Sequence, residues 1–191
     1  MSSFIAVLDA CVLFPASLRD TLLRTAKAGL YRLQLTDDIL MEVYRNLIKK
    51  GMPEDKAKRL MDILSTEFEE AFVTQYRKLI SSMPINEKDK HVLAAAMACK
   101  AQIIVTQNLK DFPPYLLASF DIEAQSPDDF LVHLYRLAPK TMWEIIVGQA
   151  GALRNPPKTL LEVLNTLKLH VPNFVNLMLS DIALQGEYSQ K

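Results

Sequence analysis

The sequence predicts an α/β protein: a doubly wound, mostly parallel sheet with helices on both faces, followed by an all-helical C-terminal stretch. Three observations predict it. Short apolar runs, Phe4-Ile5-Ala6-Val7-Leu8 and Ile103-Ile104-Val105, have strand length and no polar alternation, the signature of strands covered on both faces. Segments of helical period separate the strand candidates, the alternation from which parallel sheets are built. After Ser126 the strand candidates stop while helical periodicity continues.

The elements follow in order. The first strand, 4–8, runs into Asp9. Leu18, Leu22, Leu23 and Ala26 recur at helical spacing over 17–30, where Gly29 is a stop. A short strand covers 31–35. Thr36 or Asp37 caps the next helix, which carries Ile39, Leu40, Val43 and Leu47 and ends near Gly51. Glu42 lies on this helix, within a turn of Arg45 and Asn46. Pro53 stands near the first position of a long helix reaching about residue 71, with Leu60, Ile63, Leu64 and Phe68 as its buried stripe. A strand is expected over 72–76, then polar sequence and Pro84. The alanine-rich helix over 87–100 offers small side chains for close approach to a sheet. The strand 103–106 comes next, then a loop holding Asp111 and Pro113-Pro114, and an edge strand at 122–124.

Composition bounds the function. The 191 residues suit one main domain plus an extension, and half of them are hydrophobic, enough for a sizeable core. Basic and acidic residues balance at 22 each, so a broad phosphate-neutralising face is excluded and any nucleic-acid contact must be local. Cys11 and Cys99 lie in apolar sequence without metal-type spacing or a secretory leader, and read as reduced thiols of a cytosolic protein with no disulfide. Charges break every apolar stretch before the ~18 residues a membrane span needs, so the expected location is the cytoplasm.

Against that background four acids stand out. Asp9 follows an apolar run and precedes Ala10-Cys11-Val12-Leu13-Phe14, where an unpaired carboxylate is expensive and a partner is required. Glu42 sits inside Ile39-Leu40-Met41-Glu42-Val43, Asp89 opens Asp89-Lys90-His91-Val92-Leu93-Ala94-Ala95-Ala96, and Asp111 follows the run Ile103 to Thr106. Each of these three has a bland reading: Glu42 paired with Arg45 or Asn46 on a solvated face, Asp89 favoured by the helix macrodipole, Asp111 starting a turn before Phe112-Pro113-Pro114. Open parallel sheets, however, place their sites beyond the carboxyl ends of the strands, which brings Asp9 and Asp111 to one edge if their strands are neighbours. Hard oxygen ligands at several positions, without a histidine or cysteine cluster, favour magnesium or manganese over zinc, and with it phosphate chemistry. Repulsion among the four carboxylates implies metal binding coupled to proton release, and weak activity at low pH.

These segments, with Ile104-Val105-Thr106-Gln107-Asn108-Leu109-Lys110-Asp111-Phe112-Pro113, together resemble PIN domains, in particular the toxin ribonucleases of VapBC-type toxin–antitoxin systems. The resemblance covers about residues 1–130. It implies a three-layer αβα sandwich with a central parallel sheet, a Mg2+- or Mn2+-dependent endoribonuclease activity, an RNA substrate and a cognate antitoxin. By matching positions, Asp9, Glu42 and Asp89 resemble the three core acids, catalytic and metal-binding. The fourth corner departs from the family pattern Thr-x-Asp-x-Asp, since Asn108 replaces its first aspartate and Asp111 is the only carboxylate left in the segment. With one fewer charge a second metal is expected to bind weakly. Thr106 is a candidate to hold a ligand carboxylate or water, and Asn108 a metal-bound water. Arg19, Lys88, Lys90 and Lys110 are candidates for RNA phosphate, each against the plain reading of a surface charge. His91 reads as a helix-surface histidine rather than a general base, because a metal-activated water needs none.

The division expected is a nuclease domain over 1–130 and a helical extension over 131–191. Ser126-Pro127-Asp128-Asp129 opens a helix through Phe130, Leu131, Leu134 and Leu137, Trp143, Ile146 and Val147 mark a short one, and Asn155-Pro156-Pro157 is a hinge. Thr159 to Glu162 fits a capping box, and a last amphipathic segment runs over 172–184, with Phe174, Val175, Leu177, Met178 and Leu179 read as core. This tail carries no catalytic constellation. It can cover a sheet edge, contribute to a homodimer or receive an antitoxin segment, and the sequence does not choose among these. Other functions fit worse. A phosphatase of the HAD type needs a second acid two residues after Asp9, where Cys11 stands, and a flap-type DNA nuclease wants more acids and a basic footprint. The rival of a different class is a PIN fold retained as a catalytically weak or inactive protein-interaction module, with Asn108 as its sign.

Overall fold

The computed structural model describes residues 4–188. They pack as two compact units, one of the stretch up to Ala16 with Tyr31–Ser126, the other of Ser17–Leu30 with the stretch from Pro127 onward.

The first unit holds a four-stranded, wholly parallel sheet, β1 (Ile5–Leu8), β2 (Arg32–Gln34), β3 (Ile103–Val105) and β4 (Glu123–Gln125), in the order β2-β1-β3-β4. With its flanking helices it forms the expected α/β sandwich. Ala6, Val7 and Leu8 are all fully buried although successive side chains point to opposite faces, so the central strand is covered on both. The short α1 (Ala10–Leu13) leaves β1 directly. Next come α3 (Asp37–Lys49), α4 (Glu54–Glu67), α5 (Lys90–Ala98) and the single-turn α6 (Pro114–Leu117). Thr36 caps α3, its side chain accepting from the Ile39 amide, and α5 lies against β1 and β3 on its buried alanines 94–96.

Three expectations fail here. The helix expected to reach residue 71 stops at Glu67, and 69–71 form a 3-10 turn. The strand expected over 72–76 shrinks to one bridge between Leu35 and Phe72, after which Tyr76–Ser82 is 3-10. Phe72 and Val73 have strand propensity, but only the Leu35 backbone is left for them to pair with, and propensity without a partner strand does not make one. The alanine-rich helix also begins later than expected, at Lys90, with Asp89 as its N-cap residue.

The second unit is all helical: α2 (Ala16–Lys27, from Ser17 onward), α7 (Pro127–Leu137), α8 (Pro139–Ala152), α9 (Leu160–Lys168) and α10 (Pro172–Tyr188). Its core is Phe130, Leu131, Leu134, Met142, Ile146, Val163, Leu164, Leu167, Phe174, Val175 and Met178, each worth about 1.5–3 kcal/mol when a side chain of that size is fully buried. Leu177 and Leu179, expected in that core, are only half-buried. A buried amide ties α2 to α8: Thr21 Oγ1 donates to Gln149 Oε1 at 2.8 Å, and Gln149 Nε2 donates to the Ser17 carbonyl at 2.9 Å. Gly29, at φ +74°, supplies the left-handed turn that ends α2. The helix around Trp143 is longer than its apolar positions suggested, and the capping box forms as read, with Thr159 and Glu162 satisfying each other's backbone amides. Among the described residues no helix is long and apolar enough to cross a membrane.

Candidate metal centre

Strand register places the first acid. Leu8 pairs with Val105 across β1 and β3, so the residues that follow, Asp9 and Thr106, leave the sheet side by side at its carboxyl edge. The Asp9 amide donates to the Val105 carbonyl at 3.0 Å, continuing the ladder by one step. The Thr106 hydroxyl donates to Asp9 Oδ2 at 2.7 Å and in turn accepts from the Asn108 amide at 3.0 Å. Cys11 Sγ donates to the same oxygen at 3.1 Å and accepts from the Gln107 amide at 3.2 Å. Burial, then the Asp9 charge, push the Cys11 thiol up to about 12, so it stays a protonated donor. Both groups hold one oxygen of a carboxylate only 4% exposed and fix its orientation. Thr106, a sequence candidate for holding a ligand carboxylate, is hydrogen-bonded to Asp9 here, while Cys11 was read only as a core thiol; its position two residues after Asp9 was the available signal.

The other acids arrive from helices and turns. Glu42 projects from α3, and its nearest basic neighbour is the His91 imidazole on α5, Oε2 to Nε2 3.7 Å, rather than Arg45. His91 is therefore not a surface histidine: its side chain is 16% exposed and its Nε2 is buried without a hydrogen bond. Helical period alone gave the phase of α5 no anchor, because every residue from Val92 to Ala98 is apolar or small. Asp89, at the start of α5, makes no side-chain cap; its Oδ2 is buried without a hydrogen-bond partner, 3.7 Å from Lys88 Nζ. Asp111, in the 3-10 turn Leu109–Asp111, accepts from Lys88 Nζ at 2.9 Å. Asn108 precedes that turn. Arg19 lies on α2 in the helical unit and is buried, 9% exposed, not the surface charge its sequence context suggested; burial pushes its guanidinium pKa down. Lys88 is likewise engaged with acids of the cluster.

Electrostatics show that the four acids share one neighbourhood. Burial first and then the Asp9 charge raise Glu42, with Asp89 adding to the rise and His91 opposing it. Burial likewise raises Asp89; Lys88 pulls it back, while Asp111 and Asp9 push it up. Asp111 moves the other way, held down by the hydrogen bond from Lys88. The cluster is open: among the described residues no three His, Cys, Asp or Glu side chains converge closely enough, as they stand, to hold an ion. The residues nonetheless fit a hard divalent cation. The donors are carboxylate oxygens, and a buried carboxylate oxygen with no hydrogen-bond partner is a group that burial penalises until a cation reaches it.

Two family models match successive stretches of the chain, the first running through residues 17–30, which pack with the helical unit. The family model for the PIN domain matches residues 6–110, more than half of the chain, and the model for the VapC50 C-terminal domain matches residues 127–180. Asp9, Glu42 and Asp89 fall inside the first match and Asp111 just beyond it. The curated protein "Putative ribonuclease VapC50" of Mycobacterium tuberculosis (strain ATCC 25618 / H37Rv) is 41% identical over 104 residues, 54% of this chain. The chain covers 62% of that relative's length. No solved structure matches. With a PIN-domain match over more than half its length, a four-stranded parallel sheet and Asp9 at the sheet's carboxyl edge, the chain belongs to the PIN-domain family.

Proposed function

We propose that the protein is a metal-dependent endoribonuclease, the toxin of a toxin–antitoxin pair, with Asp9, Glu42, Asp89 and Asp111 as its catalytic, metal-binding acids and Mg2+ or Mn2+ as its cofactor. The observation that carries the reading is the buried Asp89 Oδ2, which has no hydrogen bond and only the Lys88 ammonium at 3.7 Å, within electrostatic reach of the Asp9 and Asp111 carboxylates. The name of the relative, a ribonuclease, favours RNA, and the balanced charge of the chain favours local contacts with a substrate over a broad duplex footprint.

When bound, the cation supplies Lewis-acid stabilisation of phosphate charge and acidifies an attacking water. The chain's own residues do the rest. Asp9 presents Oδ1 while Thr106 and Cys11 hold Oδ2. Asp89 contributes a carboxylate that burial keeps free of competing water, and Glu42, half-exposed, faces solvent from which a substrate water can be taken. Asn108, its backbone pinned by Thr106, offers a neutral amide where the family pattern has an acid. A cognate antitoxin and a homodimer remain part of this proposal as partners. The test is cleavage of a structured RNA by the purified protein with Mg2+ or Mn2+. Metal-dependent cleavage, lost on chelation and in Asp9→Asn and Asp89→Asn, supports it; no cleavage by wild type with either metal overturns it in favour of an interaction module.

A further inference from the structure

Lys88 stands where the fourth corner of the cluster would otherwise need a cation. Its ammonium lies 2.9 Å from Asp111 Oδ2 and 3.7 Å from Asp89 Oδ2, so one positive charge already bridges the two acids on that side. On the other side, among the described residues, no Lys or Arg pairs with Asp9 or Glu42. Asp9 has one oxygen held by a hydroxyl and a thiol, both neutral, and the nearest basic side chain to Glu42 is the His91 imidazole at 3.7 Å, beyond hydrogen-bond range. The four carboxylates thus split into a half neutralised by the chain itself and a half that is not. At position 108, where an acid would have added to the Asp111 side, the residue is a neutral amide.

Resting on the metal-nuclease reading above, we propose that Lys88 is a positioning residue that takes the place of a second divalent ion, so that the site binds one ion, on the Asp9, Glu42 and Asp89 side, and its ammonium holds Asp111 in place. The charge balance agrees. Four carboxylates against one dication and one ammonium leave a net charge of about −1, which a water-filled site tolerates, whereas adding a second dication beside Lys88 sets like charges a few ångströms apart. The side chain of Lys88 is itself 64% exposed, so its replacement removes the charge without opening a hole in the core.

The measurement is the number of Mn2+ ions bound by the full chain without RNA, read by electron paramagnetic resonance of free Mn2+ during titration and checked by calorimetry. Wild type is expected to bind one ion, and Lys88→Arg also one, since the charge is kept. Lys88→Met is expected to acquire a second ion at least about tenfold tighter than any second binding to wild type, the effect of removing a unit charge beside a dication in a largely solvated setting. Asp111→Asn added to Lys88→Met removes that second ion, which locates it. Two equivalent ions in wild type, or identical titrations for wild type and Lys88→Met, overturn the assignment of Lys88 while leaving a metal nuclease standing. No ion bound by wild type, with Asp9→Asn indistinguishable from it, overturns the metal reading and this inference together. Circular dichroism of each variant separates lost binding from lost folding.

Discussion

Two aspartates, one in each unit, are almost equally buried and yet opposite in kind: Asp89 is 7% exposed and Asp128 8%. Asp128 sits in the first turn of α7 and spends both oxygens on backbone donors, Oδ1 accepting from the Phe174 amide at 2.8 Å and Oδ2 from Asn173 at 3.0 Å. It thereby caps the start of α10 from a neighbouring helix. Asp89 is also placed at a helix start, but it caps nothing and leaves Oδ2 without a hydrogen bond. Burial alone therefore does not mark function. A carboxylate whose lone pairs are used is architecture, and one that is buried without a hydrogen bond, its nearest ammonium 3.7 Å away, is a cost the fold carries for a ligand.

The comparison breaks first on activity. Asp89→Asn, or Asp9→Asn, is expected to lower metal-dependent RNA cleavage about a hundredfold or more, the scale of losing a direct ligand rather than a supporting group, while Asp128→Ala leaves the rate per folded molecule nearly unchanged. A cleavage assay on the three variants decides it; comparable losses for Asp89 and Asp128 erase the distinction.

Stability should invert the ranking. Asp128→Ala removes the acceptor of two amides and is expected to destabilise the helical unit by about 1–2 kcal/mol. Asp89→Asn in metal-free protein is expected to leave stability unchanged or raise it, because it deletes a charge that burial disfavours. Chemical denaturation with and without Mn2+ reads both, and a metal-free Asp89→Asn less stable than wild type contradicts the account.

Acid sharpens the contrast further. Asp89 and Glu42 are raised in the fold, so the folded state holds their protons more tightly than the unfolded chain does. Their unfavourable contribution is fully present above the raised folded values and fades as pH falls through those values toward the ordinary ~4. Glu162 in the capping box is lowered, mainly by the Thr159 amide, so its contribution is present above the ordinary ~4.3 and fades as pH falls through its depressed value. Hydrogen exchange resolved by segment should therefore show mild acid relieving α5 in metal-free protein, while stronger acid loosens the start of α9. The same slope in both segments removes the distinction.

The smallest effect expected on the site is that of Thr106. Thr106→Ala should cost about tenfold in cleavage by freeing the Asp9 carboxylate to rotate, and Thr106→Ser, which keeps the hydroxyl, should restore most of it. Equal rates for the alanine and serine variants would show that the hydroxyl does nothing for Asp9.

How far this could be read from sequence depended on whether a signal was local. The strands β1 and β3 were legible because a buried parallel strand is apolar at every position, and the two helix caps at Thr36 and Thr159 because capping chemistry lies within four residues. Acids at the end of β1 and after β3 pointed to one sheet edge by topology alone. What failed was set mostly by partners distant in the chain. Phe72 looked like a strand residue and found a single bridge; His91 looked like a surface residue and faces Glu42 on another helix. Lys88 looked like a free cation and is bound to Asp111, 23 residues later. The recruitment of Ser17–Leu30 into the helical unit rests on Gln149, whose partners Thr21 and Ser17 lie more than a hundred residues away.

The most direct measurement is a crystal of the protein grown with Mn2+ and examined by its anomalous scattering. The account predicts a peak about 2.1 Å from an Asp89 carboxylate oxygen, on the side of that carboxylate away from Lys88, with Asp9 as a second ligand, and the Asp128 carboxylate still bound to the amides of Asn173 and Phe174. Saturating Mn2+ with no peak at Asp89, or an ion bound elsewhere while Asp89 Oδ2 stays unpartnered, contradicts it.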